Sequence, residues 1–507
     1  MADAVVIGAG PNGLVAANVL ADAGWSVDVL EAEEEPGGAV RTAELIEPGF
    51  RNDVFSAFYP LAAASPAFRR LELERYGLEW CHGPLVLAHP TLDGSCAVLS
   101  RDLDVTAASL DGFAAGDGDS WRALMRVWER AADAVLEGMV TPMPPVRPTL
   151  RLAARLGPRG FADVARVGAM GVRRFADEHF RGAGAARLLA GNALHADLSP
   201  ELPPGAFYGW LLCSLGQTVG FPFPRSGASS LTHALVRRLE SRGGRVTCGA
   251  RVEEVVVRRG RAEGVRTSDG RDVSARRAVL ADVSAPALYL RLLSRGQTPG
   301  RVLRGLRRFE WDWPTFKVDW TLDGRVPWAA EEARGAPVVH VTEGVDELSE
   351  WAADLHRGLV PAKPFLVFGQ YAVGDPTRSP AGKDTAWAYT HLPHRWDALD
   401  ANAFADLIEK RIEALAPGFR ALVRGRHVLT PAGLESRDAN LVNGALNGGT
   451  AQLHQQLIFR PTTGLGRPET GIRRLYLASA SAHPGGGVHG GPGAIAARAA
   501  LGAWRLG

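Results

Sequence analysis

Lysine is nearly missing from this sequence: it occurs only at Lys317, Lys363, Lys383 and Lys410, although Lys and Arg together number 57. The positive charge is therefore arginine, which with the richness in Ala and Gly reads as GC-rich coding and not as a function. Cysteine is scarce too. The four residues, Cys81, Cys96, Cys213 and Cys248, are scattered without a C-x-x-C pair. That excludes a thiol–disulfide redox pair and a zinc cluster, and no metal is expected. Buried free thiols in a reducing cytoplasm are the plain reading. No apolar run approaches the roughly 18 residues of a membrane helix. No basic stretch precedes an apolar one at the N-terminus, so no signal peptide is expected and the location reads as cytoplasmic. An excess of one charge is lacking as well, because 57 basic against 55 acidic residues leave a net charge of +2. No basic domain or recognition motif is present, so nucleic acid is not an expected partner.

What is present suits a large soluble protein. The chain has 507 residues, 46% of them hydrophobic and 22% charged, enough for roughly two to four domains.

The stretch "VVIGAGPNGLVAANVLADAGWSVDVLEAEEEPGGAVRT", residues 5–42, carries the first chemistry. A short apolar run reads as a buried parallel strand. Gly8, Gly10 and Gly13 follow in G-x-G-x-x-G spacing, and a helix pattern runs to a stop at Gly24. A second apolar strand ends at Glu31. In such a βαβ unit the first glycine permits the tight turn, the second lets backbone approach a pyrophosphate, and the third lets helix and strand pack closely. The helix start offers free N–H groups and positive dipole to phosphates. Glu31 is placed for ribose hydroxyls. A dinucleotide is therefore expected; a purely structural glycine turn leaves Glu31 and Gly37-Gly38 unexplained.

"EAEEEPGGAVRT" resembles the E-x5-G-G-x-x-R-T segment of the large FAD-binding superfamily that includes amine oxidases and phytoene desaturases. Gly37 and Gly38 would let the chain turn under the pyrophosphate, and Arg41 would bring positive charge toward phosphate or flavin, against the alternative of a surface salt bridge. A second block, "FPFPRSGASSLTHALVRRLESRGGRVTCGARVEEVVVRRGRAEGVRTSDGRDVSARRAVLAD", residues 221–282, reads as a turn, an amphipathic helix, a strand from Val252, a hairpin at Asp269-Gly270 and a short buried strand. It resembles the phytoene desaturase family, in which the valine strand holds adenine through its backbone; that implies Val252. Ser226 stands where the family has glycine. The third block, "LASASAHPGGGVHGGPG", is similar to the T-H-P-G-G-G-V-x-G-x-P-G segment of phytoene desaturase and carotenoid isomerase relatives. A helix from Val488 would there aim its N–H groups at the flavin. Ser479 and Ala482 depart from the family's Gly and Thr.

The resemblance runs over essentially the whole length and extends to the related pyridine nucleotide-disulfide oxidoreductase domain-containing proteins. It implies an α/β fold, a Rossmann-like FAD-binding domain of the glutathione-reductase and amine-oxidase type. The domain would be assembled from residues 1–71, 221–300 and 465–507. Residues 72–220 would form a helical lid, and residues 301–464 a mixed-sheet substrate domain. By the same resemblance FAD would be bound by Gly8, Gly10, Pro11, Asn12, Gly13, Glu31, Gly37, Gly38, Arg41, Val252, Pro484, Gly487 and Val488, and, with no cysteine near the flavin turn, non-covalently. "GFRNDVFSAFYPL" (49–61), "TPAGLESRDANLVNGALNGG" (430–449) and "RPTTG" (460–464) match family segments near the flavin and the substrate chamber.

The implied reaction is hydride transfer from a substrate carbon to flavin N5, on an apolar or polyene-like molecule, with oxygen or a quinone as acceptor. Polyene isomerisation, amine or amino-acid oxidation, and a flavin-binding interaction protein with little turnover stay open. His483 and His489 are the candidate acid/base groups at the flavin end, each with a structural alternative, a turn cap or a surface residue. His391 and His394 are weaker candidates. Six tryptophans, Trp311, Trp313, Trp320, Trp328, Trp351 and Trp387, could line a flat apolar pocket or simply pack a sheet. Arginines at 147, 151, 155, 159, 166, 173 and 174 sit among apolar residues over 144–181. That pattern fits either peripheral contact with an anionic membrane or a solvated face.

Overall fold

The computed structural model describes residues 1–506. Two sheets organise the chain. The first runs Val252–Arg258, Arg261–Thr267, Asp272–Ala281, Ala2–Ile7, Val27–Leu30, Arg245–Thr247, with Leu475–Leu477 also pairing with Asp272–Ala281. All three sequence blocks therefore meet in it. Ala2–Ile7 is buried at every position and lies parallel to Val27–Leu30 and to Asp272–Ala281, as expected for a strand covered on both faces. The hairpin expected at Asp269-Gly270 is present, and its second arm is continuous with the buried strand expected after it, as one ten-residue strand. Its start pairs antiparallel with Arg261–Thr267 and its end parallel with Ala2–Ile7, and burial becomes continuous where the central sheet begins.

Helices Pro11–Asp22 and Gly491–Leu506 pack together over this sheet. The approach is so close that a Cβ on Gly493 would stand 1.9 Å from the Asn12 carbonyl oxygen, so only glycine serves there. The C-terminal helix starts at Gly491, not at Val488. Gly490 lies in the left-handed region at φ +65° and ends the preceding turn before the helix can begin.

The second sheet is Val423–Leu429, Thr315–Leu322, Asp384–His391, Leu366–Gln370, Val338–Val341, Leu87–Pro90, Cys96–Leu99. Its last hairpin comes from the first insertion, which also supplies the short strand Trp80–Cys81 and helices, among them Asp117–Met139, Val146–Val167, Val172–His179, Ala183–Ala193 and Gly205–Thr218. The arginine-rich stretch is two helices, the first broken at Gly157 (φ 72°) before Pro158. Most of its arginines are ion-paired: Arg155 with Asp133 at 3.0 Å, Arg166 and Arg174 with Glu178, Arg173 with Glu201, Arg151 with Glu137. Among the described residues no helix is long and apolar enough to cross a membrane, and no group of side chains is arranged to hold a metal.

Candidate active site

One cavity of about 1110 Å³ runs between the two sheets. That exceeds the ~300–1,000 Å³ of a typical small-ligand pocket, so it has room for a cofactor and a substrate. At one end lie Gly8, Gly10, Pro11, Asn12, Glu31, Gly38, Arg41 and Val252; Pro484, Gly487, Val488, His483 and His489 line it as well. Gly13 and Gly37 stand behind this lining. The other end belongs to the insertions, with side chains such as Leu152, Phe207, Leu211, Val338, Val367 and Trp387.

The residues present fit a dinucleotide. Glu31, buried at the end of its strand, accepts from the Ala9 N–H at 2.7 Å through Oε2 and from the Glu33 N–H at 3.0 Å through Oε1. Each oxygen keeps lone pairs for ribose hydroxyls. The Ala250 N–H donates to the Glu31 carbonyl, which brings Val252 beside that carboxylate. Arg41 makes no surface ion pair. Its Nε donates to the Gly38 carbonyl at 2.9 Å, an Nη donates to the Arg437 carbonyl, and the guanidinium lies 5.2 Å from the Phe55 ring centre.

Asp282 is the residue that sequence reading missed. It ends the ten-residue strand as Glu31 ends its own, and its Oδ2 accepts from the Gly13 N–H at 2.7 Å. A Cβ on Gly13 would lie 2.2 Å from the Gly8 carbonyl oxygen and 3.1 Å from Asp282. The third glycine thus admits both a tight turn and this carboxyl. Burial pushes the Asp282 carboxyl up to about 8, and the neighbouring charges of Asp438 and Glu31 act the same way. The signal was legible: an apolar run ending in Asp, matching the run that ends in Glu31.

The two histidines of the third block differ. His483 is buried with no hydrogen bond to either ring nitrogen, and burial pushes it down to about 4. His489 has both nitrogens engaged: Nδ1 accepts from the Gly491 N–H at 3.0 Å, so Nε2 donates to the Gly486 carbonyl at 3.1 Å. This leaves no lone pair for a substrate proton, which counts against the base expected at His489. The space beside it at Gly490 and Gly491 is filled by Val15, Phe68 and the Met139 carbonyl. His391 pairs with Asp197 at 2.9 Å behind the cavity wall, and His394 does not line the cavity. Of the six tryptophans only Trp387 lines it; Trp320, Trp328 and Trp351 are packed in cores.

Three further groups shape the site. Asp53 is a buried hub: it accepts from Thr42 Oγ1, the Ala228 N–H and Tyr371 OH, each at 2.8 Å, and meets Arg378 at 2.7 Å. Lys317, also buried, donates to the Asp53 carbonyl at 3.0 Å and to Asp319 and lines the cavity. Arg460 donates to the carbonyls of Asn447, Thr450 and Ala480 at 2.7–2.9 Å, tying the 447–450 loop to the third block. Ser226 takes φ +65°, the conformation of the glycine it replaces, held by its N–H donating to Asp375 Oδ2 at 2.7 Å.

A dinucleotide cradle opening into an apolar chamber defines a flavin-dependent oxidoreductase, and the chain belongs to the FAD dependent oxidoreductase family, which it matches over residues 3–494. Within that family its relatives include two kinds of protein. The Mus musculus pyridine nucleotide-disulfide oxidoreductase domain-containing protein 2 is 28% identical over 545 residues, covering 98% of this chain and 92% of the relative. The zeta-carotene-forming phytoene desaturase of Myxococcus xanthus is 27% identical over 505 residues, covering 96% and 90%. Among solved structures, an oxidoreductase from Methanosarcina mazei superposes with a TM-score of 0.63 at 14% identity, covering 98% of this chain and 99% of that one. Putrescine oxidase with bound putrescine gives 0.61 at 17%, covering 99% of each chain. At these identities the two structures establish the fold alone.

Proposed function

We propose that this FAD-dependent oxidoreductase is a dehydrogenase or desaturase acting on an apolar, polyene-like small molecule. Bound FAD would supply hydride-acceptor chemistry at its flavin ring. The chain's own residues do the rest. Glu31, Val252 and the Gly8–Gly13 turn would hold the adenine dinucleotide, and the Pro484–Val488 turn the other end. The insertions surround the substrate and exclude water. His483 is kept neutral, its pKa pushed down to about 4 by burial, but both its ring nitrogens are enclosed, so it orders the turn and does not reach a substrate proton. FAD is held non-covalently, a reading supported by the absence of all four cysteines from the cavity lining.

The observation that carries the proposal is the chamber's chemistry. Its wall is aliphatic and aromatic, and its charged member is Lys317; the carboxylates that line the cavity, Glu31, Glu33, Glu253, Asp282 and Asp438, belong to the dinucleotide end. A cationic amine finds no carboxylate there, and Lys317, the cation an amino-acid carboxylate would meet, is already engaged by Asp319 and the Asp53 carbonyl, which counts against the oxidase reading. Reoxidation by oxygen or a quinone fits the single dinucleotide cradle among the described residues. A peripheral membrane contact would deliver such a substrate: Leu457 lines the cavity yet is 48% exposed, and Ile458, Phe459, Val146 and Leu150 are exposed near it.

Anaerobic mixing of the holoenzyme with a panel of lipophilic polyenes and a panel of amines tests the reading. Bleaching of the flavin by members of the first panel alone is expected. Bleaching by amines alone would make it an amine oxidase, conversion without bleaching an isomerase, and neither a flavin-binding interaction protein.

A further inference from the structure

We infer that the chamber recognises one oxygen function, a hydroxyl or a carbonyl, on an otherwise apolar substrate, and that His195 and Tyr389 are the recognising pair. The inference rests on the cavity being a substrate chamber, as proposed above, and narrows what it takes.

His195 follows helix Ala183–Ala193 and lines the cavity. Its Nε2 is 2.9 Å from Nε2 of His340, a fully buried residue of strand Val338–Val341. One imidazole must therefore donate to the other. This bond fixes the His195 ring and uses up one nitrogen. The other nitrogen, Nδ1, makes no hydrogen bond, yet it is not among the enclosed polar atoms that lack a partner. It keeps accessible surface, and the surface beside His195 is the cavity.

Tyr389 stands next to it, with ring centres 6.5 Å apart. It comes from strand Asp384–His391 and lines the same cavity. Its hydroxyl likewise has no partner and is not enclosed. A wall of Leu, Val, Phe and Trp side chains is thus interrupted by free polar atoms: the Tyr208 hydroxyl of helix Gly205–Thr218 and, from two other elements and next to each other, those of His195 and Tyr389. An unpaired polar group in an apolar site is costly unless a ligand satisfies it.

The chemistry of the pair selects the ligand group. The His340 Nδ1 is enclosed without a partner, 2.2 Å from where a Cβ on Gly191 would stand. An orphaned N–H there is less tolerable than an orphaned lone pair. His340 therefore donates through Nε2, and His195 presents Nδ1–H to the chamber as a donor. Tyr389 can donate or accept. A neutral oxygen accepts from His195 and, as a hydroxyl, also donates to Tyr389. Burial pushes His195 down to about 4, so the pair carries no charge with which to hold an ion. His340 acts through His195 and is a positioning residue.

Equilibrium binding to the oxidised holoenzyme, read from the shift of the flavin's visible absorbance, tests this without turnover. The probes are limonene and perillyl alcohol, which is limonene carrying one hydroxyl. The alcohol is expected to bind at least about tenfold more tightly, the worth of one satisfied buried hydrogen bond. Tyr389→Phe removes only an oxygen and is expected to lose most of that preference. His195→Phe should lose it too, with limonene affinity and flavin content held. His340→Gln, which keeps a donor, should retain more of the preference than His340→Phe. Equal binding of the two probes, binding of neither, or a preference unchanged in both the Tyr389 and His195 variants overturns the inference. An alcohol preference without any flavin reduction would leave it standing and remove the dehydrogenase reading instead.

Discussion

The Asp282 carboxyl accepts the Gly13 N–H at 2.7 Å across 269 residues of sequence, so the second sequence block completes the glycine turn of the first. An acid here faces Glu31 and Asp438 across a groove meant for phosphates. Protonation resolves the conflict, and its folded pKa of about 8 reflects burial first and those charges next.

Stability should therefore fall as pH rises through this group's range. Between its unfolded value near 3.9 and about 8, the native state holds a proton that the unfolded chain has released. The contribution is complete below about pH 4 and is lost toward pH 8, with a slope of at most about 1.4 kcal/mol per pH unit. Urea unfolding across that range should show a shallower decline for Asp282→Asn than for the wild type. Parallel curves would place the ionised form in the fold.

Ser226 holds a left-handed backbone at φ +65°, a conformation that costs a side chain roughly 1 kcal/mol. Ser226→Gly removes that strain and leaves the N–H bond to Asp375 in place, although glycine also loosens the unfolded chain. The expected change is a small gain in stability, up to about 1 kcal/mol by denaturant titration. A loss of that size would mean that the hydroxyl's 3.0 Å bond to Thr377 Oγ1 outweighs the strain.

His489→Ala should behave as a packing lesion. It removes an acceptor from the Gly491 N–H and a donor from the Gly486 carbonyl at a buried position. A loss of about 2–4 kcal/mol is expected, with flavin content falling alongside. Normal stability and flavin with slowed reduction would return the role of base to His489.

Leu457, which lines the cavity, and its neighbour Ile458, each 48% exposed, set the membrane reading. Flotation with phosphatidylglycerol vesicles should recover the wild type and much less of a Leu457→Asp, Ile458→Asp double variant, with phosphatidylcholine vesicles recovering little of either. Equal flotation of wild type and variant would assign the arginine stretch to a solvated face.

The first sheet and the glycine turns were legible because their residues speak locally: apolar runs, glycines at fixed spacing, an acid at a strand end. The same rule would have found Asp282, whose strand ends as Glu31's does. The hairpin Leu87–Pro90 and Cys96–Leu99 was hidden because its partners lie more than 200 residues away in the second sheet. His489 was misread for a related reason. The groups that pack against it and its neighbours Gly490 and Gly491, Val15 of helix Pro11–Asp22, Phe68 and the Met139 carbonyl, are far away in sequence. His195 and Tyr389 carry no motif at all. Only the meeting of an insertion helix with the second sheet brings them together.

The central claim is that three separated segments of this chain hold one FAD without a covalent bond. Heat-denaturing the purified protein and chromatographing the supernatant tests it directly, with Glu31→Ala beside the wild type. The wild type should release about one FAD per chain. The variant, lacking charge-assisted bonds worth about 1.5–3 kcal/mol each, should retain at least tenfold less after dialysis. A nicotinamide dinucleotide in the supernatant, flavin in the pellet, or undiminished FAD in the variant would contradict the account.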